Sequence, residues 1–227
     1  MTVLPLLNPA LDRVPTYATA GERPMHAVQL ASNENPYGPS PAVHDAVVRA
    51  LPGLHRYPDP TASKLKVQIA AHYGMRAEQV LVGNGATELL DLIAKAVLGP
   101  QQNAIYAQPS FVMYRIASLS QGAEVREVAL GANGEFDLQG ILDRVDERTK
   151  LVYLANPNNP TGTHIGKTAL SAFVKALPKH VVLVLDEAYR EYAVAADFPD
   201  GLNMMSLRDR IVVVRTFSKC HGLASLR

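Results

Sequence analysis

Cysteine is nearly missing from the chain, tryptophan is missing altogether, and neither sign of charge is in excess. The single Cys220 cannot close an internal disulfide, which suits a reducing compartment. Lys and Arg number 22 against 21 Asp and Glu, so no basic surplus speaks for nucleic acid or an anionic membrane. No apolar run approaches the roughly 18–20 residues of a membrane span. The N-terminal run from Met1 to Arg13 lacks the basic start and long apolar stretch of a secretory signal, so a cytoplasmic setting is expected. The seven histidines show no paired spacing of the His-Glu-x-x-His kind, and no metal is expected. There is no internal repeat, low-complexity tract or linker-like cluster of Pro and Gly. With 48% hydrophobic and 19% charged residues, the 227-residue chain has the composition of an ordinary globular protein, not of a disordered or collagenous one.

Residues 1–38 read as an irregular N-terminal arm, rich in Pro and Asn. Residues 39–227 read as one large domain. Ser40–Leu51 is expected to be a helix, with Ser40 as cap and Pro41 in the first turn. Ser63–Tyr73 is a second helix that Gly74 ends. From there strands and helices alternate. Strands are expected at Val80–Val82, Ala104–Ala107, Glu124–Val128, Lys150–Leu154, Val181–Leu185 and Ile211–Val214. Helices are expected at Ala86–Leu98, Phe111–Leu119, Asp137–Val145 and Lys167–Leu177. Unbroken apolar, β-branched strands between helices indicate an α/β fold: a three-layer sandwich around a mostly parallel sheet.

Ligands of open α/β sheets bind beyond the carboxyl ends of the strands. Four segments expected there are unusually polar or Gly-rich. Gly83–Glu88 is a strand-to-helix turn of small residues, a ready anion site; taken alone it reads first as a plain helix start, with Gly85 as N-cap and Glu88 reaching back. Asn156–Gly162 brackets two asparagines between prolines. It is either a rigid loop or a means of fixing an Asn amide on a ligand oxygen. Asp186 ends an apolar strand, where a carboxylate is costly without a partner; it either caps the next turn or holds a protonated nitrogen. Tyr189 follows three residues later. Lys219, after Ser218, is set among Cys220, Gly222, Leu223 and Ala224, an odd setting for a surface lysine. Lysine amines form Schiff bases with carbonyl compounds and with pyridoxal phosphate. A phosphate cradle, a carboxylate for a ring nitrogen, an amide and a phenol for an oxygen, and an amine for an aldehyde match pyridoxal phosphate group by group.

At this level the sequence resembles the fold-type I pyridoxal-phosphate aminotransferases, and within them the histidinol-phosphate aminotransferases and their aromatic aminotransferase relatives. The matching pieces are Leu30–Gly38, Arg56–Asp59, Gly85–Thr87, Asn156–Gly162, Asp186–Tyr189 and Ser218–Arg227, in the family's order. The resemblance implies transfer of an amino group between histidinol phosphate or an aromatic amino acid and 2-oxoglutarate. It implies that Lys219 binds the cofactor aldehyde and then shuttles the substrate proton, and that Asp186 keeps the pyridine nitrogen protonated. Tyr189 and Asn159 would hydrogen-bond the ring's 3-oxygen, and Phe111 would stack on the ring. Ala86, Thr87, Thr216, Ser218 and Arg227 would bind the phosphate. Tyr57 would reach the phosphate of the other protomer across a homodimer interface, and Tyr17 would cover the substrate. Phe111 and Ser225 depart from the usual Tyr and Gly of the histidinol-phosphate enzymes.

The resemblance also implies a C-terminal small domain with the substrate-carboxylate arginine. The sequence stops at Arg227, short of that domain, so it is expected to be a fragment or a natural remnant with weak turnover. A threonine-phosphate decarboxylase shares the scaffold and stays open as an alternative, as does a non-catalytic remnant. A P-loop ATPase is disfavoured, because Gly162–Thr168 has three residues between its glycines where the motif needs four.

Overall fold

In the computed structural model, residues 8–16, 28 and 30–226 are described. Tyr17 and Arg227, both expected site residues, lie outside them. Helices run in chain order as α1 Pro41–Ala50, α2 Ser63–Tyr73, α3 Gly85–Val97, α4 Met113–Ser120, α5 Leu138–Asp143, α6 Lys167–Ala176 and α7 Gly201–Met204. Strands are β1 Asn103–Gln108, β2 Glu124–Ala129, β3 Thr149–Ala155, β4 Val182–Asp186 and β5 Ile211–Val214. Among the described residues no helix is long and apolar enough to cross a membrane.

The chain forms two compact units. The first takes the described residues within Met1–Val28 and Leu90–Thr216; the second takes those within Gln29–Leu89 and Phe217–Arg227. The first holds the sheet, in the order β2-β1-β3-β4-β5 with every pair parallel. Because side chains alternate along a strand, each face of the sheet needs its own cover. On one face, Ile105, Val152, Leu154, Leu183 and Leu185 pack with Ile141 of α5 and Leu170, Phe173 and Val174 of α6. On the other, Tyr106 and Tyr153 meet Tyr114 of α4. The result is the expected α/β layering. Asp137 caps α5 by accepting from the Gly140 N–H at 2.7 Å.

The second unit is built from α1, α2 and the first turn of α3. Gly74 ends α2 in the left-handed conformation, φ 65°, as a glycine stop does. Two local expectations fail. Ser40 stands at the N-cap of α1 but makes no side-chain capping bond. Val80–Val82 is not a strand: it pairs with no strand among the described residues, and a three-residue run has no ladder of its own.

Candidate functional site

The sheet unit carries one group of expected site residues, gathered where β3, β4 and β5 end. Asp186 is the last residue of β4 and is buried. Its Oδ2 accepts the Tyr114 hydroxyl at 2.8 Å, and its Oδ1 accepts the Ala188 N–H at 3.0 Å. Burial, then the nearby Asp186 carboxylate, pushes the Tyr114 phenol well above its ordinary pKa. Tyr114 lies stacked on Tyr153, with centroids 4.8 Å apart and planes 15° apart. Phe111, half-buried just ahead of α4, meets Tyr114 edge-on at 5.9 Å. Tyr189 is half-buried at the start of the turn after β4, with its ring 6.4 Å from that of Tyr192. Thr216 is half-buried beyond β5.

The loop after β3 shows why it needs several asparagines. Asn156 both donates to the Ile165 carbonyl and accepts from the Ile165 N–H, at 3.1 and 2.8 Å. The Asn158 amide donates to the Pro109 carbonyl and to Thr161, and its oxygen accepts from Ser110. Both are buried, so their amides build the loop. Asn159 between them and Gly162 is half-buried. The loop's continuation, the P-loop-like Gly162–Thr168, leads into α6, whose first N–H bonds the Asp197 carbonyl at 2.9 Å. A Cβ on Gly166 would fall 2.3 Å from the Asp197 carboxylate. An acidic side chain therefore sits where a P-loop presents its backbone to phosphate.

Beside Asp186 lies a group of residues that sequence reasoning missed. Glu187, 1% exposed, accepts both Nε and Nη2 of Arg215 at 3.0 and 2.7 Å, and the Gly201 N–H at 2.7 Å. Arg215 also reaches Asp200 at 2.6 Å, and Arg190 reaches the other oxygen of Asp200 at 2.8 Å. Burial raises the pKa of Glu187 even against the pull of Arg215. Burial also works to raise Asp200, but the Leu202 N–H and the two arginines outweigh it, and the net shift is downward. Tyr114 was missed as well. Its signal in the sequence is a second aromatic three residues after Phe111, which puts both on one side of a helix.

The second unit carries the other expected residues. The Lys219 amine donates to the Ser32 carbonyl at 2.8 Å, and Asn35 donates to the Cys220 carbonyl at 2.9 Å. Gly222, at φ 68°, lies so close to Gly38 that a Cβ would come within 2.5 Å of its backbone. The lysine loop is thus pinned to the segment around 32–38. Ser218 is half-buried. The turn before α3 follows no strand, contrary to expectation. The helix begins at Gly85 itself, φ 76°, and Glu88 accepts the Asn84 N–H at 2.5 Å. The reach-back by Glu88 is therefore present, one residue earlier than Gly85. Ala86 is half-buried and Thr87 exposed in this turn, and Tyr57 is completely exposed.

A family model, aminotransferase class I and II, matches residues 26–227. The chain belongs to that family. Its curated relatives include a histidinol-phosphate aminotransferase from Geobacillus sp. (strain WCH70), 45% identical over 88% of this chain and 54% of the relative. Histidinol-phosphate aminotransferase 2 of Pseudomonas aeruginosa is 46% identical over 91% of this chain and 56% of its own length. The chain thus spans about half the length of the curated aminotransferases it matches. The crystal structure of the Sinorhizobium meliloti histidinol-phosphate aminotransferase with pyridoxal-5'-phosphate has a TM-score of 0.88 and 29% identity, covering 100% of this chain and 62% of that one. L-threonine-O-3-phosphate decarboxylase from Porphyromonas gingivalis has a TM-score of 0.72 and 25% identity, over 84% of this chain and 55% of its own.

Proposed function

We propose that this aminotransferase-family chain binds pyridoxal phosphate through Lys219 and serves amino-group transfer from histidinol phosphate or an aromatic amino acid, with 2-oxoglutarate as the acceptor. The observation that carries the reading is Asp186: a buried carboxylate at a strand end, already held by a phenol and a backbone N–H. The donor set fits the cofactor. It comprises a carboxylate for the ring nitrogen, an aromatic face at Phe111, Tyr189 and Asn159 for the ring's 3-oxygen, and a lysine amine for the aldehyde.

When bound, pyridoxal phosphate supplies an aldehyde for the substrate amine and a protonated ring that takes up the electron pair left on the α-carbon. Lys219 would hold the aldehyde through its amine and, when free, would move the proton at the substrate's α-carbon. Asp186 holds the proton on the ring nitrogen. Ala86, Thr87, Thr216, Ser218 and Arg227 bind the phosphate, Arg227 as a two-pronged cation. Tyr17 covers the substrate. Tyr57 contributes to the phosphate site of a second protomer in a homodimer, a role supported by its complete exposure in the single chain. A cytoplasmic setting belongs to the same reading. The decarboxylase alternative is less favoured, because relatives named for histidinol phosphate reach 46% identity while the decarboxylase neighbour stands at 25%.

The chain spans about half of its relatives, so the decisive test reads cofactor capture and not turnover. The chain is incubated with pyridoxal phosphate, reduced with borohydride and mapped by peptide mass. The adduct is expected on Lys219, and Lys219→Ala is expected to abolish it. An adduct on another lysine, or one that survives Lys219→Ala, overturns the assignment. Spectral change on adding histidinol phosphate, set against phenylalanine, then sorts the amino donor.

A further inference from the structure

Tyr114 is more than a core aromatic. Packing alone is served by its ring, which is enclosed by Tyr153 stacked at 4.8 Å and by the edge contacts of Tyr106 and Phe111, both at 5.9 Å. A phenylalanine fills that space equally well. The hydroxyl adds something else: it reaches the buried Asp186 carboxylate at 2.8 Å. A buried carboxylate without donors tends to take up a proton. A phenol held protonated by its surroundings can only donate to it, and the donation favours the anion. The three rings that enclose Tyr114 also fix the direction from which the hydroxyl points.

We propose that Tyr114 is a positioning residue that acts through Asp186: its hydroxyl keeps the carboxylate ionised and aimed, so that the proton shared with the cofactor ring resides on the ring nitrogen. The proposal rests on the pyridoxal-phosphate reading above. The shared proton can sit on the nitrogen, beside a carboxylate, or on the oxygen, beside a neutral pyridine. A third partner that donates to the carboxylate stabilises the first arrangement more than the second, because a protonated carboxyl is the weaker acceptor. Removing the hydroxyl shifts the proton toward Asp186 without removing any group that touches the cofactor.

The test uses the whole chain loaded with pyridoxal phosphate labelled with ¹⁵N in the ring, with borohydride trapping to establish loading at Lys219. The wild-type ring nitrogen is expected to resonate as a pyridinium. Tyr114→Phe is expected to load at Lys219 with affinity lower by about tenfold, the loss of one charge-assisted hydrogen bond. Its ¹⁵N resonance should move toward neutral pyridine. Tyr153→Phe keeps the donor and should leave the resonance in place. A Tyr114→Phe resonance that coincides with wild type, or a Tyr153→Phe shift of equal size, overturns the proposal. Should Tyr114→Phe fail to fold, the wild-type chain still decides: the buried Tyr114 hydroxyl proton should resonate at low field and move when cofactor is added, and an unmoved proton overturns the proposal. A wild-type chain that traps no cofactor at Lys219 overturns the functional reading, and this proposal with it.

Discussion

Around the sheet, the carboxylates Asp186 and Glu187 are buried and held by other side chains: Asp186 by Tyr114, Glu187 by Arg215, and Arg215 in turn by Asp200. In the unit of α1 and α2, the corresponding groups are half-buried or exposed, and Lys219 is held by a backbone carbonyl. Leu54, Val67 and Leu81 of that unit are exposed too, while Ala70 is the buried residue of α2. The difference separates two ways of holding a polar group in place. Side chains locked in a dry interior are preorganised by packing and lose heavily when one member is removed. A lysine held by a loop depends instead on backbone geometry and on close approach of glycines.

The largest effect that distinguishes the two is expected from Arg215→Ala. Glu187 would remain buried without its two-pronged partner, left with Arg190 Nε at 3.7 Å, and breaking such a buried pair costs about 3–5 kcal/mol. A urea unfolding midpoint reads the loss. The sign with pH is a further check. The folded-state pKa of Glu187 is already raised by burial, and it rises further once Arg215 is gone. A buried carboxyl with a raised folded pKa favours the folded state at low pH and loses that contribution as pH climbs through the raised value. The variant should therefore be closer to wild type near pH 5 than near pH 8. A loss below about 1 kcal/mol, at the level of an exposed ion pair, would erase the contrast between the units.

A smaller effect is expected from Gly222→Ala in the lysine loop. A side chain there is strained by the positive φ and meets the Gly38 backbone, at a cost of roughly 1–3 kcal/mol. The loss should be local. Borohydride trapping at Lys219 should slow, and proteolysis between residues 30 and 40 should quicken, while the unfolding of the sheet unit barely moves. An equal loss in both units breaks the comparison from the other side.

How much of this was legible in the sequence follows from the range of each interaction. The cap at Asp137 and the stop at Gly74 depend on neighbours within a turn, and both stand where they are expected. Val181–Leu185 and Ile211–Val214, which supply β4 and β5, announce themselves by unbroken apolar runs, whereas Val80–Val82 has such a run without a partner to pair with among the described residues. The family's motif residues could be named from their order along the chain. Tyr114, Glu187 and Arg215 could not, because their roles arise from partners 72 and 28 positions away. Asn156 and Asn158 are a mixed case. Their loop was recognisable, but which amide is used in building it depends on Pro109, Ser110 and Ile165, which only the fold brings near.

The smallest expected effect is the sharpest check on what burial contributes. Asp59, ahead of α2, accepts four hydrogen bonds, from the N–H and hydroxyl of Thr61 at 2.9 and 2.7 Å and from those of Ser63 at 2.8 and 2.5 Å. These bonds, the Ser63 and Thr61 hydroxyls foremost, hold its carboxyl well below the usual carboxylate range. A depressed folded pKa contributes stability above the ordinary value near ~4, and that contribution is lost as pH falls toward the lower folded value. Asp59→Asn should thus lower hydrogen-exchange protection of the first amides of α2 at neutral pH, and the gap from wild type should close under strong acid. Asp59 has at least as many donors as Glu187, yet water can take the place of each at the surface. If Asp59→Asn destabilises the chain as severely as Arg215→Ala, the number of hydrogen bonds, and not their burial, sets the difference between the units.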